Sequence, residues 1–267
     1  MKHMLLPLSL VLSLLLAFPA GADSPAHHWP QWRGPAADGV APHGEPPVTW
    51  SEEENVLWKV EVPGRGSASP VVWGDTLFLL TAVPTGKPAA AGEDGGDGPA
   101  FGRGVTPDEV LRFVVLAYDR HTGAIRWQKT AVEAAPHEGT HTDGTWASAS
   151  AVTDGEVLVA SFGSRGLYAY HLAGNLRWSK DLGDMHTRHA FGEGASPALF
   201  GDVVVVNWDH EGDSFIVALD KNTGRELWRQ PREEVTSWAT PVVVEHGGKP
   251  QVVVNATERI RGYDLAT

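Results

Sequence analysis

The sequence contains no cysteine. That absence excludes disulfides as a source of stability, thiolate metal sites and any lipid carried on a cysteine behind a leader. Basic residues are scarce: 21 Lys and Arg stand against 33 Asp and Glu, giving a formal charge of −12 and a pI near 5.4. A phosphate backbone would be repelled, so no nucleic-acid partner is expected, whereas a cation, a metal ion or another protein is compatible. Long apolar runs are missing beyond the N-terminus, so no stable membrane insertion is expected. The one such run, residues 5–18, is short for a span; Lys2 precedes it and the small-x-small triplet Ala20-Gly21-Ala22 follows it. These are the parts of a signal peptide over residues 1–22 cut before Asp23, which implies a periplasmic or secreted protein. At 42% hydrophobic residues the remaining chain can bury a core, which must supply the stability that crosslinks do not.

What the chain does have is a repeat. "AYDRHTGAIRW" at residues 117–127 recurs as "ALDKNTGRELW" at 218–228 and, shortened, as "AYHLAGNLRW" at 169–178; "GYDLAT" at 262–267 begins a further copy. A second motif keeps step: "SASPVV" from Ser67, "SASAV" from Ser148, "GASPAL" from Gly194 and "WATPVV" from Trp238. Trp127, Trp178 and Trp228 are 51 and 50 residues apart, a period that suits a four-stranded unit. Within the third unit, "ASPALF", "VVVVNW", "FIVAL" and "RELWRQ" read as four strands separated by turn residues, with little helix anywhere. In the turns, Asp119 or Asp220 can accept backbone N–H groups just ahead, while Gly123 or Gly224 supplies positive φ. Trp127, Trp178 and Trp228 on the outer strands then offer a large apolar face to a neighbouring unit, and an indole N–H that needs an acceptor.

The pattern A-x-D-x-x-T-G-x-x-x-W, complete at residues 117–127 and 218–228, resembles the repeat of PQQ-like β-propellers, the quinoprotein alcohol dehydrogenase-like superfamily. The resemblance implies an all-β fold, a β-propeller of four-stranded blades with about four repeats present out of a ring of seven or eight. "WPQWRGPAADGV" at residues 29–40 is similar to the N-terminal segment of secreted bacterial members of this type. The expected organisation is a signal peptide at 1–22, an N-terminal lead-in at 23–53 and blades at 54–267, with the last repeat truncated. "ENVLWKVEVPG" at 54–64 reads as an outer strand carrying Trp58, a strand that latches a ring; a compact four-blade ring closed by it is the alternative. Residues 83–110, rich in Gly and Asp, read as a surface-loop insertion in which "TPDEVLRF" can form a helical turn started by Thr106 and Pro107.

"HEGTH" at residues 137–141 fits the H-E-x-x-H zinc-protease pattern. That chemistry needs a helix that places both histidines on one face, and Pro136, Gly139, Thr140, Thr142 and Gly144 oppose one, so a protease is not expected. The repeat instead puts this segment in a loop between blades, on the face where strand D leads to A and B leads to C. His137, His141, His189, Glu193, Asp209 and His210 are gathered there and form the candidate ligand-binding set, with no catalytic residue assigned. The resemblance implies two uses. One is a non-catalytic scaffold binding a protein, glycan or small ligand; the other is a dehydrogenase using PQQ with calcium. Family dehydrogenases place a vicinal cysteine pair against the quinone, and this chain has none. A more remote use is an envelope protein-assembly scaffold, against which the missing lipid-acceptor cysteine counts.

Overall fold

A computed structural model of the chain describes residues 24–89 and 104–266. The signal peptide read at 1–22 and the centre of the Gly/Asp-rich segment lie outside the described residues. Four antiparallel sheets follow one another along the chain. The first blade is β1 (Val71–Trp73), β2 (Thr76–Pro88), β4 (Glu109–Asp119) and β5 (Ile125–Ala134). A two-stranded ribbon joins β3 (Gly104–Val105) to β6 (Thr140–His141). The second blade is β7 (Val152–Thr153), β8 (Val157–Ser161), β9 (Leu167–His171) and β10 (Leu176–Lys180), and the third is β11 (Ala198–Phe200), β12 (Val203–Trp208), β13 (Phe215–Asp220) and β14 (Glu226–Pro231). The fourth holds β15 (Val242–His246), β16 (Lys249–Asn255) and β17 (Ile260–Asp264). Inner strands of successive sheets adjoin, β1 beside β7, β7 beside β11 and β11 beside β15, so the sheets are arrayed around an axis as propeller blades.

The blades are joined by apolar layers built from the period-two alternation of each strand. In β8, Leu158 and Ala160 point into a cluster with Phe78, Leu80 and Phe113 of the first blade. Val157 and Val159 of the same strand point the other way, toward Val204, Val206 and Trp208 of the third. Both faces of a middle blade are thus buried, which is why β8 carries no charged residue and is buried at every position.

The repeat motif forms an outer ring of contacts. Asp119 Oδ1 accepts from the N–H groups of His121 and Thr122 at 3.0 and 2.9 Å, and Asp220 Oδ1 does the same for Asn222 and Thr223 at 3.0 and 2.9 Å. These turns close with Gly123 and Gly224 at φ 71° and 69°. The tryptophan of each outer strand then crosses to the next blade. Trp127 Nε1 donates to the Leu172 carbonyl at 2.9 Å, Trp178 Nε1 to Lys221 at 2.8 Å and Trp228 Nε1 to Leu265 at 3.0 Å. Each turn glycine lies flat against an indole: a Cβ on Gly174 would come within 2.9 Å of Trp127, and one on Gly224 within 2.7 Å of Trp178. The alanine that opens the motif is explained too, since Ala117, Ala169 and Ala218 sit opposite Trp127, Trp178 and Trp228 across the ladder, beside a register shift in each pair. A small partner and a bulge let the large ring turn toward its neighbour.

The second motif forms an inner ring. The Ser69 N–H donates to Ser150 Oγ at 2.9 Å, Ser150 N–H to Ser196 Oγ at 2.9 Å and Ser196 N–H to Thr240 Oγ1 at 3.1 Å. One hydroxyl per blade satisfies the backbone donor of the blade before it, where short inner strands leave that donor unpaired.

Three expectations are corrected. The four-blade alternative is not formed: β17 pairs only with β16, and residues 55–62 pair in no sheet among the described residues. Trp58 nonetheless fills the outer-ring position: its Nε1 donates to the Arg120 carbonyl at 2.9 Å and its ring covers Gly123. "TPDEVLRF" forms no helical turn, because β4 starts at Glu109 and Leu111, Phe113 and Val115 alternate into the core of the first blade. Where the segment 83–110 is described, much of it is the lengthened ends of β2 and β4 and the short strand β3. The lead-in segment adds a bridge to the inner edge, with Trp29 and Val72 exchanging both backbone bonds at 3.0 and 2.7 Å.

Replacing Trp178 with Phe retains most of the apolar contact and removes the donor to Lys221, so a loss of about 1–2 kcal/mol is expected. Gly224→Ala introduces both the clash and an unfavourable φ, and a loss of about 2 kcal/mol or more is expected. Urea unfolding midpoints check both; a Gly224→Ala protein as stable as the parent would contradict the stacking role.

Candidate functional site

The connections leaving β5, β10, β14, β8 and β12 meet on one end of the blade array. The segment after β5 is extended, with Thr140 and His141 in β6, and is not a helix, so His137 and His141 do not share the face that zinc hydrolysis requires. They diverge into two groups. His137 is buried and lines a cavity of about 40 Å³ together with Glu138, Glu193, Ser164, Asn207 and Trp208. His137 Nδ1 is 3.5 Å from Asp184 Oδ2, and its ring lies 5.1 Å from that of His186. His141 and His189 lie farther out, around Phe191, with ring centroids 4.9 and 5.4 Å from it. His189 has a left-handed backbone, φ 59°. His141 Nδ1 accepts the Asp143 N–H at 3.2 Å.

Asp209 is enclosed rather than presented to a ligand. Its side chain is 0% exposed and accepts from Arg232 Nε at 2.6 Å, Arg232 Nη2 at 3.0 Å, Asn207 Nδ2 at 2.9 Å and Ser237 Oγ at 2.7 Å. An ion pair with that many donors offsets the desolvation of its two charges, and it fixes the start of the β12–β13 connection to the segment after β14. His210 is a brace of the same kind: its Nδ1 accepts the His186 N–H at 3.1 Å, and burial holds its pKa below the usual histidine range.

Glu193 and Glu138 sit at the centre. Glu193 Oε2 accepts the Ser164 N–H at 2.7 Å, and its other oxygen accepts the Ser164 hydroxyl. A Cβ on Gly163 would fall 1.3 Å from Glu193 Oε2, so only glycine allows this approach. Glu138 Oε1 accepts the Thr187 N–H at 2.9 Å and the Thr187 hydroxyl. Burial pushes the Glu193 carboxyl up to about 7, against the Ser164 bonds and with the neighbouring charge of Glu138 adding to the rise. Burial raises Glu138 as well, against its bonds to Thr187. Sequence reasoning did not select Glu138, Ser164, Thr187 or Asn207 for this set. Glu138 was visible only as the middle of a coincidental protease pattern, and Ser164 and Thr187 carry no local signal because their roles depend on which loops meet.

Calcium takes six to eight oxygen ligands. Among the described residues no three His, Asp or Glu side chains converge with metal-ligand spacing. The cavity is also far below the roughly 300 Å³ or more that a cofactor occupies. The described residues around this cavity therefore do not by themselves fit PQQ with calcium.

Blades, turn motif and interblade tryptophans together define a PQQ-like repeat protein. The chain belongs to the family described as outer membrane protein assembly factor BamB, whose profile matches residues 111–267, over half of its length. No curated protein matches it. Among solved structures it is similar to BamB from Moraxella catarrhalis, with 18% identity and a TM-score of 0.41 over 79% of this chain and 62% of that one. It is also similar to a europium-containing methanol dehydrogenase, with 17% identity and a TM-score of 0.38 over 61% and 24% of the two chains. A quinohemoprotein alcohol dehydrogenase from Comamonas testosteroni shows 15% identity and a TM-score of 0.36 over 63% and 21%. The chain spans less than two thirds of each of these proteins.

The carboxylates make stability depend on pH in two directions. Asp119 and Asp220 are held below the usual range, chiefly by the hydrogen bond from Arg126 and that from Thr223, so their contribution is lost as pH falls. Glu193 has the opposite sign. Its folded pKa of about 7 exceeds its ordinary 4.5, so the folded state holds the proton longer and stability declines as pH rises between those values. The decline amounts to at most about 3 kcal/mol. Melting temperatures should therefore peak near about pH 5 and fall toward about pH 8, with Glu193→Gln flattening the upper limb.

Proposed function

We propose that this chain is part of a non-catalytic interaction scaffold that works outside the cytoplasm and presents the end of the blade array described above to a protein partner. The observation that carries the reading is how the polar groups at that end are used. They tie loops to loops: Glu138 to Thr187, Glu211 to Thr236, Asp209 to Arg232 and Glu234 to Arg261. Such pairs stiffen the surface that a partner would meet. On that surface Trp238 is 47% exposed while its Nε1 is pinned to the Gly192 carbonyl at 2.7 Å. A held, exposed indole is the kind of group that anchors protein interfaces. The charge of −12 favours a partner with a basic face. The family's description as an assembly factor supports a protein partner over a glycan or small ligand, and the leader read at residues 1–22 supports the compartment.

The test has two arms on the full chain. With PQQ, calcium and a dye acceptor, no alcohol-dependent reduction is expected, and turnover would overturn the reading. A photo-crosslinker at Trp238 should give a discrete protein adduct in envelope extract, while one at Lys249, on the β15–β16 hairpin, should not; equal labelling from both positions counts against a specific face.

A further inference from the structure

The cavity between the loops joins three acceptors from different parts of the chain. Glu138 comes from the connection after β5, Glu193 from that after β10, and Asn207 from the end of β12; all three line the same space. Asn207 is 2% exposed, and its Oδ1 is buried with no hydrogen-bond donor among the described residues. Its amide orientation is fixed by its neighbours, since Nδ2 faces two obligate acceptors, Asp209 Oδ2 at 2.9 Å and the Ala239 carbonyl at 3.4 Å. The carbonyl oxygen is thereby turned away from that network. Among the described residues neither Glu138 nor Glu193 forms an ion pair. The guanidinium of Arg165 also lines the cavity, and its donors are engaged by the Ala135 carbonyl, 2.6 Å from Nε, and by Asp184, 3.5 Å from Nη1. The rest of the wall is largely aromatic, with Phe113, Trp146, Phe162 and Trp208 beside His137 and Arg165.

We propose that this cavity is a binding site for a primary ammonium group, whose three N–H donors are taken by Glu138, Glu193 and Asn207 Oδ1. Number and shape select this chemistry. An ammonium needs three acceptors, where calcium needs twice as many oxygens. The aromatic walls attract a cation and shelter the first methylene behind it. A space of about 40 Å³ admits a small ammonium group. The group can be that of a small free amine or the end of a lysine side chain from a docked protein. The site does not depend on which protein, if any, the rim of this face binds.

Trp146 and Trp208 border the cavity, so tryptophan emission reports on it directly. The full chain is titrated near pH 8 with methylammonium and, separately, with Nα-acetyl-lysine amide, at constant ionic strength. A saturable change with methylammonium alone assigns the site to small amines, and one with the lysine amide assigns it to protein lysines. Glu193→Gln is expected to weaken either response at least tenfold; Glu138→Gln serves as the second variant should that protein melt below the parent's range. The proposal is overturned if neither probe saturates, if tetramethylammonium or sodium acts equally, if calcium binds more tightly than methylammonium, or if both variants respond like the parent.

Discussion

A single contact recurs along the whole array: an indole N–H donating to a turn carbonyl of a neighbouring blade. Four tryptophans make it, Trp58, Trp127, Trp178 and Trp228, at 2.8–3.0 Å. The turns reached by Trp58 and Trp178 are those shaped by the Asp and Gly of the motif, and the strands that Trp127, Trp178 and Trp228 leave are bulged opposite an alanine. Each element of the motif is therefore explained by one purpose, to dock blade onto blade. The geometry is demanding because a blade with both faces apolar is not stable alone and depends on its neighbours in register.

The inner ring of hydroxyls meets a different constraint. Around the axis the inner strands are short, two residues in β7 and three in β1 and β11, so ladder bonds cannot satisfy every backbone donor there. Serine or threonine at one motif position supplies the missing acceptor from the neighbouring blade. Apolar layers give the array its cohesion, and these two hydrogen-bonded rings set the angle and height at which the layers meet.

Once the blades are placed, their connections converge on one end whatever their sequences. Carboxylates and imidazoles brought together there need partners from other loops, and most have them: Asp209 has Arg232, Glu193 has Ser164, Glu138 has Thr187. The result is a stiff surface with a small, electronegative, aromatic-walled cavity beneath it. Its two glutamates share the cost of burial, the physical cause of the stability loss expected as pH rises.

The strand order, the turn residues and the roles of Trp127, Trp178 and Trp228 were legible in the sequence, because each rests on local periodicity and on the backbone demands of Asp and Gly. The expectation that six candidate side chains share one end rests on topology alone. Their division was not legible: His141 and His189 cluster on Phe191, Asp209 is locked to Arg232, and only His137 and Glu193 reach the cavity. Nor could the sequence distinguish residues 55–62 as an unpaired segment from a ladder strand, since Trp58 makes the same docking contact in either case. Local patterns determine elements because their causes lie within a few residues. Which carboxylate ends beside which hydroxyl was decided by the meeting of loops tens of residues apart, and only the tertiary structure holds that information.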